Sequence, residues 1–180
     1  MDKQVILVVD EQGNFKGEYI PKSVGHTGEG KRHLAISVLL YNSKGEVLLQ
    51  KRKHKVFDDI WDVTGATHPL HKDGKDESLE EATWRCLDRE YGIKEKILLK
   101  KLGFFNYFAK YGEHCENEHC AILVGEYNGS LSLSTEVGYS YKWVSEEEFL
   151  KDIKKNPQKY SPWAVEAAKI IRTKGDALRG

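Results

Sequence analysis

Short apolar runs separated by polar turns set the pattern of this chain. Val5 to Val9 is long enough for one strand. Glu11-Gln12-Gly13-Asn14 follows as a turn into a second short strand. Lys16 to Arg32 is rich in glycine and charge and predicts an irregular loop. His33 to Tyr41 and Val47 to Lys51 predict a hairpin closed by Asn42-Ser43-Lys44-Gly45. Trp61-Asp62-Val63 is a further strand-like stretch, and Lys72 to Asp76 reads as an exposed turn. Residues 97 to 108 and 118 to 127 give two more strands, and Tyr139 to Val144 another.

Helical signals fall between these strands. Ser78 and Glu81 form a capping box, and Gly92 is placed to stop the helix it opens. On that helix Ala82, Cys86 and Glu90 are four apart and share a face, with Leu79, Thr83 and Leu87 on the adjacent one. Ser145 with Glu148 opens a second helix that runs to about Lys155. Ser161-Pro162-Trp163 opens a third, with proline in its first turn. Strands interleaved with a few helices predict an α+β sandwich.

Composition narrows the class without naming a chemistry. The 180 residues fit one domain with a substantial core. Basic and acidic side chains number 28 each, so global charge points to neither nucleic acid nor membrane. No apolar stretch approaches the roughly 20 residues of a membrane span. The opening Met1-Asp2-Lys3-Gln4 does not read as a secretory signal. Cys86, Cys115 and Cys120 are odd in number and lack framework spacing, which predicts reduced thiols and a cytoplasmic location. Cys115 and Cys120 stand beside His114 and His119, but not at zinc-knuckle spacing, and read as incidental.

The candidate chemistry lies elsewhere. Glu116 and Glu118 are two apart, next to the apolar run that ends at Val124, so a strand there turns both carboxylates the same way. His26 and His33 flank the start of the run Leu34 to Leu40, and His68 follows Trp61-Asp62-Val63. Three imidazoles and two carboxylates suit one manganese, magnesium or zinc ion. Taken singly, a histidine is more often a satisfied core or surface residue, and two strand carboxylates more often a solvated face.

The segment His68 to Ile93 has the length, turn and helix of a Nudix motif. Glu77, Arg85, Leu87, Glu90, Gly92 and Ile93 match that pattern, whereas His71, Cys86 and Arg89 replace its first glycine and two of its helix glutamates. The chain more closely resembles the type 1 isopentenyl-diphosphate isomerase branch of the superfamily. Lys22 to Thr27, Arg32-His33-Leu34-Ala35, Thr67-His68-Pro69, Glu116-Asn117-Glu118 and Tyr160-Ser161-Pro162-Trp163 carry the likeness. It implies a single Nudix domain over residues 1 to 180, of α+β class, with a mixed β-sheet sandwiched between helices. It implies that His26, His33, His68, Glu116 and Glu118 hold one divalent ion, manganese, magnesium or zinc. Glu90 would help to hold a magnesium that arrives with the diphosphate. Lys22, Arg52 and Lys55 would grip that diphosphate, because lysine and arginine offer charged donors. Tyr107 and Trp163 would stand near the reacting carbons, with Glu118 and Tyr107 catalytic. The partner implied is a small organic diphosphate.

The chain departs from that branch at one decisive position. Isomerisation needs acid/base groups on opposite faces of the substrate, and the branch uses a cysteine two residues before the third histidine. Here that residue is Ala66, which carries no proton. A phosphate-binding arginine of the branch is Cys86. Three functions stay open: an isomerase-like enzyme, a Nudix hydrolase cleaving a nucleoside or prenyl diphosphate, and a non-catalytic diphosphate-binding protein. Thr67, as a strand neighbour of Ala66, is expected to face away.

Overall fold

The structure is a computed structural model and describes residues 4 to 174, so Met1, Asp2 and Lys3 of the opening segment lie outside it. In chain order the elements are β1 (Val5–Val9), β2 (Phe15–Pro21), α1 (Lys22–Gly25), β3 (His33–Tyr41), β4 (Glu46–Arg52), β5 (Trp61–Asp62) and β6 (Gly65–Thr67). A small hairpin follows, β7 (His71–Lys72) and β8 (Lys75–Asp76), and then α2 (Leu79–Tyr91). The remainder is β9 (Lys100–Tyr111), β10 (His114–Glu126), β11 (Gly138–Ser145), α3 (Glu146–Lys155) and α4 (Pro162–Thr173).

The parallel pair β3 and β10 lies within the mixed sheet, in register from His33 opposite Glu118 to Tyr41 opposite Glu126. β3 and the Cys120 to Val124 half of β10 are near-continuous apolar runs because both faces of the sheet are covered there. One face packs Leu39, Leu49 and Ile122 against Phe149 of α3 and against Trp163 and Ile171 of α4. Ala164, Ala167 and Ala168 add little bulk between α4 and this face. The other face packs Val38, Leu40 and Leu48 against Leu87 and Tyr91 of α2. Successive residues of β3 and β4 thus enter opposite layers, as the two-residue period requires.

The expected helices form with the expected caps. Ser78 Oγ accepts from Glu81 N at 3.0 Å, and Gly92 ends α2 in the left-handed region at φ 69°. Ser145 and Ser161 cap α3 and α4 through their hydroxyls. The expectation of a loop from Lys16 to Arg32 is corrected. Its first part is β2, antiparallel to β1, with Ile6 opposite Ile20 and Leu7 opposite Tyr19. Only Ile20 of β2 is buried, and its inner-face neighbours Lys16 and Glu18 are charged while Phe15 and Tyr19 stand exposed on the outer face, so the usual strand alternation is hidden.

The predicted hairpin of β3 and β4 pairs only at its closed end, Tyr41 opposite Val47. Beyond that the two strands splay. β6 pairs with β3 and β5 pairs with β4, so residues 61 to 67 fill the gap. Buried Thr64 bridges the split: its Oγ1 accepts from Leu40 N at 2.8 Å and donates to Leu48 O at 2.7 Å. Thr64→Val keeps the shape and orphans two buried backbone groups. It is expected to cost about 2–4 kcal/mol in urea unfolding; an unchanged midpoint would show that the bridge is dispensable.

Candidate metal centre and its cavity

The register of the parallel pair assembles the centre. His33 is the first residue of β3, Glu118 lies opposite it on β10, and Tyr107 lies opposite Glu118 on β9. His68 directly follows β6, and His26 follows α1. One donor atom from each of His26, His33, His68 and Glu118 lies within 4.8 Å of all the others. Glu118 Oε1 is 2.9 Å from His68 Nε2 and 3.5 Å from His33 Nε2. The close approach depends on a glycine: a Cβ on Gly25 would sit 2.8 Å from Ile6 Cδ1 and 3.1 Å from His33 Nδ1.

The donor set fits a divalent cation. His33 Nδ1 donates to Lys31 O at 2.7 Å, and His26 Nδ1 donates to Cys115 O at 3.1 Å. Carbonyl oxygens accept only, so both rings leave the Nε2 lone pair free. Those two Nε2 atoms are buried and have no hydrogen-bond partner, the arrangement in which a carbonyl fixes the tautomer of a ligating histidine. Burial, then the neighbouring His33 and His26, holds His68 well below the ordinary histidine value, so it stays neutral and able to ligate. Desolvation opposes charge on His26, but Glu116 outweighs it and lifts that imidazole above its usual value. Burial alone would raise the Glu118 carboxyl, yet His33 and Tyr107 hold it below its ordinary value.

Glu116 stands outside the four-residue group. Its carboxylate faces the cavity but lies against His26 Nδ1 at 2.9 Å. Two strand residues two apart are separated by about 6.8 Å, so Glu118 reaches the shared centre while Glu116 reaches its rim. Tyr107 donates to Glu118 Oε2 at 2.5 Å. Burial, followed by the Glu118 and Glu116 charges, pushes its hydroxyl well above the usual tyrosine value, so it remains a donor.

The centre opens into a cavity of about 460 Å³. Lys22, Arg52, Lys55, Tyr107 and Trp163 all reach its wall, as the sequence reading expects, and Ala66 lines it too. Thr67 contributes to the wall as well, although alternation along β6 predicts that it faces away. This three-residue strand ends there, and the chain turns into the His68-Pro69 segment. Arg52 is largely committed to the protein. Its Nη1 donates to Asp62 at 2.9 Å, its Nε donates to Phe57 O at 3.2 Å, and its guanidinium lies 4.7 Å from the centre of the Trp163 ring. Trp163 is both core and wall: it is buried and donates Nε1 to Asp62 at 3.0 Å.

Glu90 is the expected site residue that the structure does not bring to the others. It is buried behind β6 and does not reach the cavity wall. The Cys86 thiol beside it is buried, and burial followed by the Glu90 charge raises its pKa well above normal. Cys115 and Cys120 are also buried and unpaired, and neither joins a metal group among the described residues. Glu77 and Arg85, matched in the helix motif, serve as a clip. Arg85 donates to both Glu77 oxygens at 2.7 and 2.8 Å and to His68 O at 2.8 Å, fixing the third histidine.

Three residues went unrecognised in the sequence. Asp62 accepts from Arg52, Ser161, Trp163 and Val63 N, and ties the start of α4 to the cavity. His54 and Arg89 join the basic wall. Desolvation in that wall, then the charges of Arg52, Arg89 and Lys22, hold His54 down at about 4. The basic run Lys51 to Lys55 was the signal for His54; a lone aspartate in a two-residue strand gave none for Asp62.

Residues 31–164 match the NUDIX domain family model. The chain is 32% identical over 166 residues to isopentenyl-diphosphate Delta-isomerase 2 of Aromatoleum aromaticum, covering 91% of this chain and 83% of that one. It is 29% identical over 168 residues to isopentenyl-diphosphate Delta-isomerase of Citrobacter koseri, covering 92% and 90%. In structure it is similar to DR0079 from Deinococcus radiodurans, with a TM-score of 0.69 over 92% of this chain and 98% of that one, at 15% identity. Family match, relatives and fold agree: the chain belongs to the Nudix family.

Proposed function

We propose that this protein is a divalent-metal-dependent enzyme, one Nudix domain in a reducing cytoplasm, that acts on a small organic diphosphate of the isopentenyl type. The observation that carries this reading is one cavity with a cation-binding His/Glu group at one end and Lys22, His54, Lys55 and Arg89 along its wall. A diphosphate needs such a basic surround, with charged donors for its oxygens. The names of the two isomerase relatives point to the isopentenyl group.

His26, His33, His68 and Glu118 would hold the metal, with Glu116 at the rim. Three imidazoles favour manganese or zinc over the oxygen-seeking magnesium. Such an ion, when bound, offsets phosphate charge and polarises its oxygens. Glu118 Oε2 and the Tyr107 hydroxyl then form the acid/base side of the site, able to hold or pass one proton at Oε2. Trp163 and Tyr107 provide an aromatic face for positive charge that develops on carbon. Ala66, which also lines the cavity, supplies no proton, so transfer between two side chains is incomplete. That same absence favours hydrolysis as the second reading, because water can serve where the second acid/base group is missing.

His68→Ala is expected to weaken manganese binding about 100-fold or more in calorimetry and to abolish binding of isopentenyl diphosphate. Equal binding by chelated and metal-loaded protein would remove the metal from the reading. Ala66→Cys should raise isomerisation about 10²-fold or more, followed as double-bond position by NMR. No gain in a folded variant would show that the divergence extends beyond this one group. Adding inorganic pyrophosphate should lift the His54 pKa from about 4, since a nearby anion favours imidazolium. An NMR titration that leaves it unmoved would place the anion elsewhere.

A further inference from the structure

The Glu90 carboxylate is already occupied by donors. Its Oε2 accepts from Gln50 Nε2 at 2.9 Å, and its Oε1 accepts from the Arg89 guanidinium and from the Cys86 thiol at 3.4 Å. Gln50 is itself fixed, with Nε2 also donating to Tyr91 OH at 3.1 Å, and that hydroxyl donates to Thr64 O at 2.7 Å. The backbone of Gly65 lies over the group, since a Cβ there would be 3.1 Å from Cys86 Sγ and 3.5 Å from Glu90 Oε2. A hard divalent ion wants six or more oxygen ligands with room for water. Three donors and the Gly65 backbone already crowd this buried carboxylate, so a second magnesium with its waters does not fit the residues present.

Arg89 stands where such a charge would be needed. It follows Cys86 by three residues, so it shares that side of α2. Its side chain is 44% exposed and reaches the cavity wall, while its partner Glu90 is buried. Desolvation works against its charge, but Glu90 raises its pKa, so the guanidinium stays ionised. Arg85, the other arginine of this helix at the wall, directs its Nε and Nη2 to Glu77 and His68 O. A guanidinium fixed by a buried carboxylate and open toward a cavity is organised for phosphate oxygens.

We infer that Arg89, clamped by Glu90, takes the place of the diphosphate-bound second cation, so that this protein works with a single divalent ion. The inference rests on the diphosphate reading of the cavity. It makes Arg89 a binding residue and Glu90 its positioning residue rather than a metal ligand.

Manganese bound per chain, counted by electron paramagnetic resonance with and without methylene bisphosphonate, tests it on the wild-type protein. One ion per chain is expected in both conditions. Arg89→Gln, which keeps a donor for Glu90, should weaken bisphosphonate binding about 10- to 100-fold and leave manganese affinity unchanged. Two manganese ions per chain with bisphosphonate, the second lost in Glu90→Gln, would overturn the inference. So would unchanged bisphosphonate affinity in Arg89→Gln. Failure of the wild type to bind bisphosphonate at any manganese level would remove the diphosphate reading itself, and this inference with it.

Discussion

The pairing of His33 with Glu118 across two parallel strands is the constraint from which the site is built. A slip of one residue along β10 would turn Glu118 to the other face of the sheet and bring Asn117 or His119 opposite His33. The apolar runs forbid that slip, because Ala121, Ile122 and Leu123 would each change layers. The hydrophobic core therefore sets the position of a polar centre. β9 inherits the register from β10, which is why Tyr107 arrives at the same carboxylate.

Around that pair the electrostatics are arranged in opposition. Three imidazoles within about 5.0 Å of one another penalise each other's protonation. Carboxylates nearby pull the other way, and the balance lowers the His68 pKa well below its usual value while Glu116 raises that of His26. At the basic wall burial, followed by the charges of Arg52, Arg89 and Lys22, outweighs Asp58 and holds His54 low. One end of the cavity thus gathers imidazoles and carboxylates and the wall gathers cationic side chains, the polarity on which the diphosphate proposal rests.

The local devices were legible in the sequence because each is written within a few residues. The capping box at Ser78 and Glu81, the serines at 145 and 161, and the turn at Lys72 to Asp76 all form where expected. The four side chains that converge at the candidate centre were also readable, through periodicity and resemblance. What stayed hidden depends on partners distant in the chain. β2 has too little buried surface to show an alternation. Asp62 acquires its role only when residues about a hundred positions later fold back onto it. Glu90 matched a motif letter for letter, yet its neighbours Cys86 and Arg89 had changed, and they redirected it.

The knot at Asp62 bears on how the protein is made. Its carboxylate is fully desolvated, and it gathers Ser161 and Trp163 from the start of the last helix as well as Arg52. A nascent chain has made every residue of the candidate centre once Glu118 is synthesised, but Trp163, which completes the aromatic wall and lies against the Arg52 guanidinium, waits for α4 to emerge. The His/Glu end of the cavity is thus complete in sequence well before its aromatic wall, and anything entering during synthesis would meet an unfinished room.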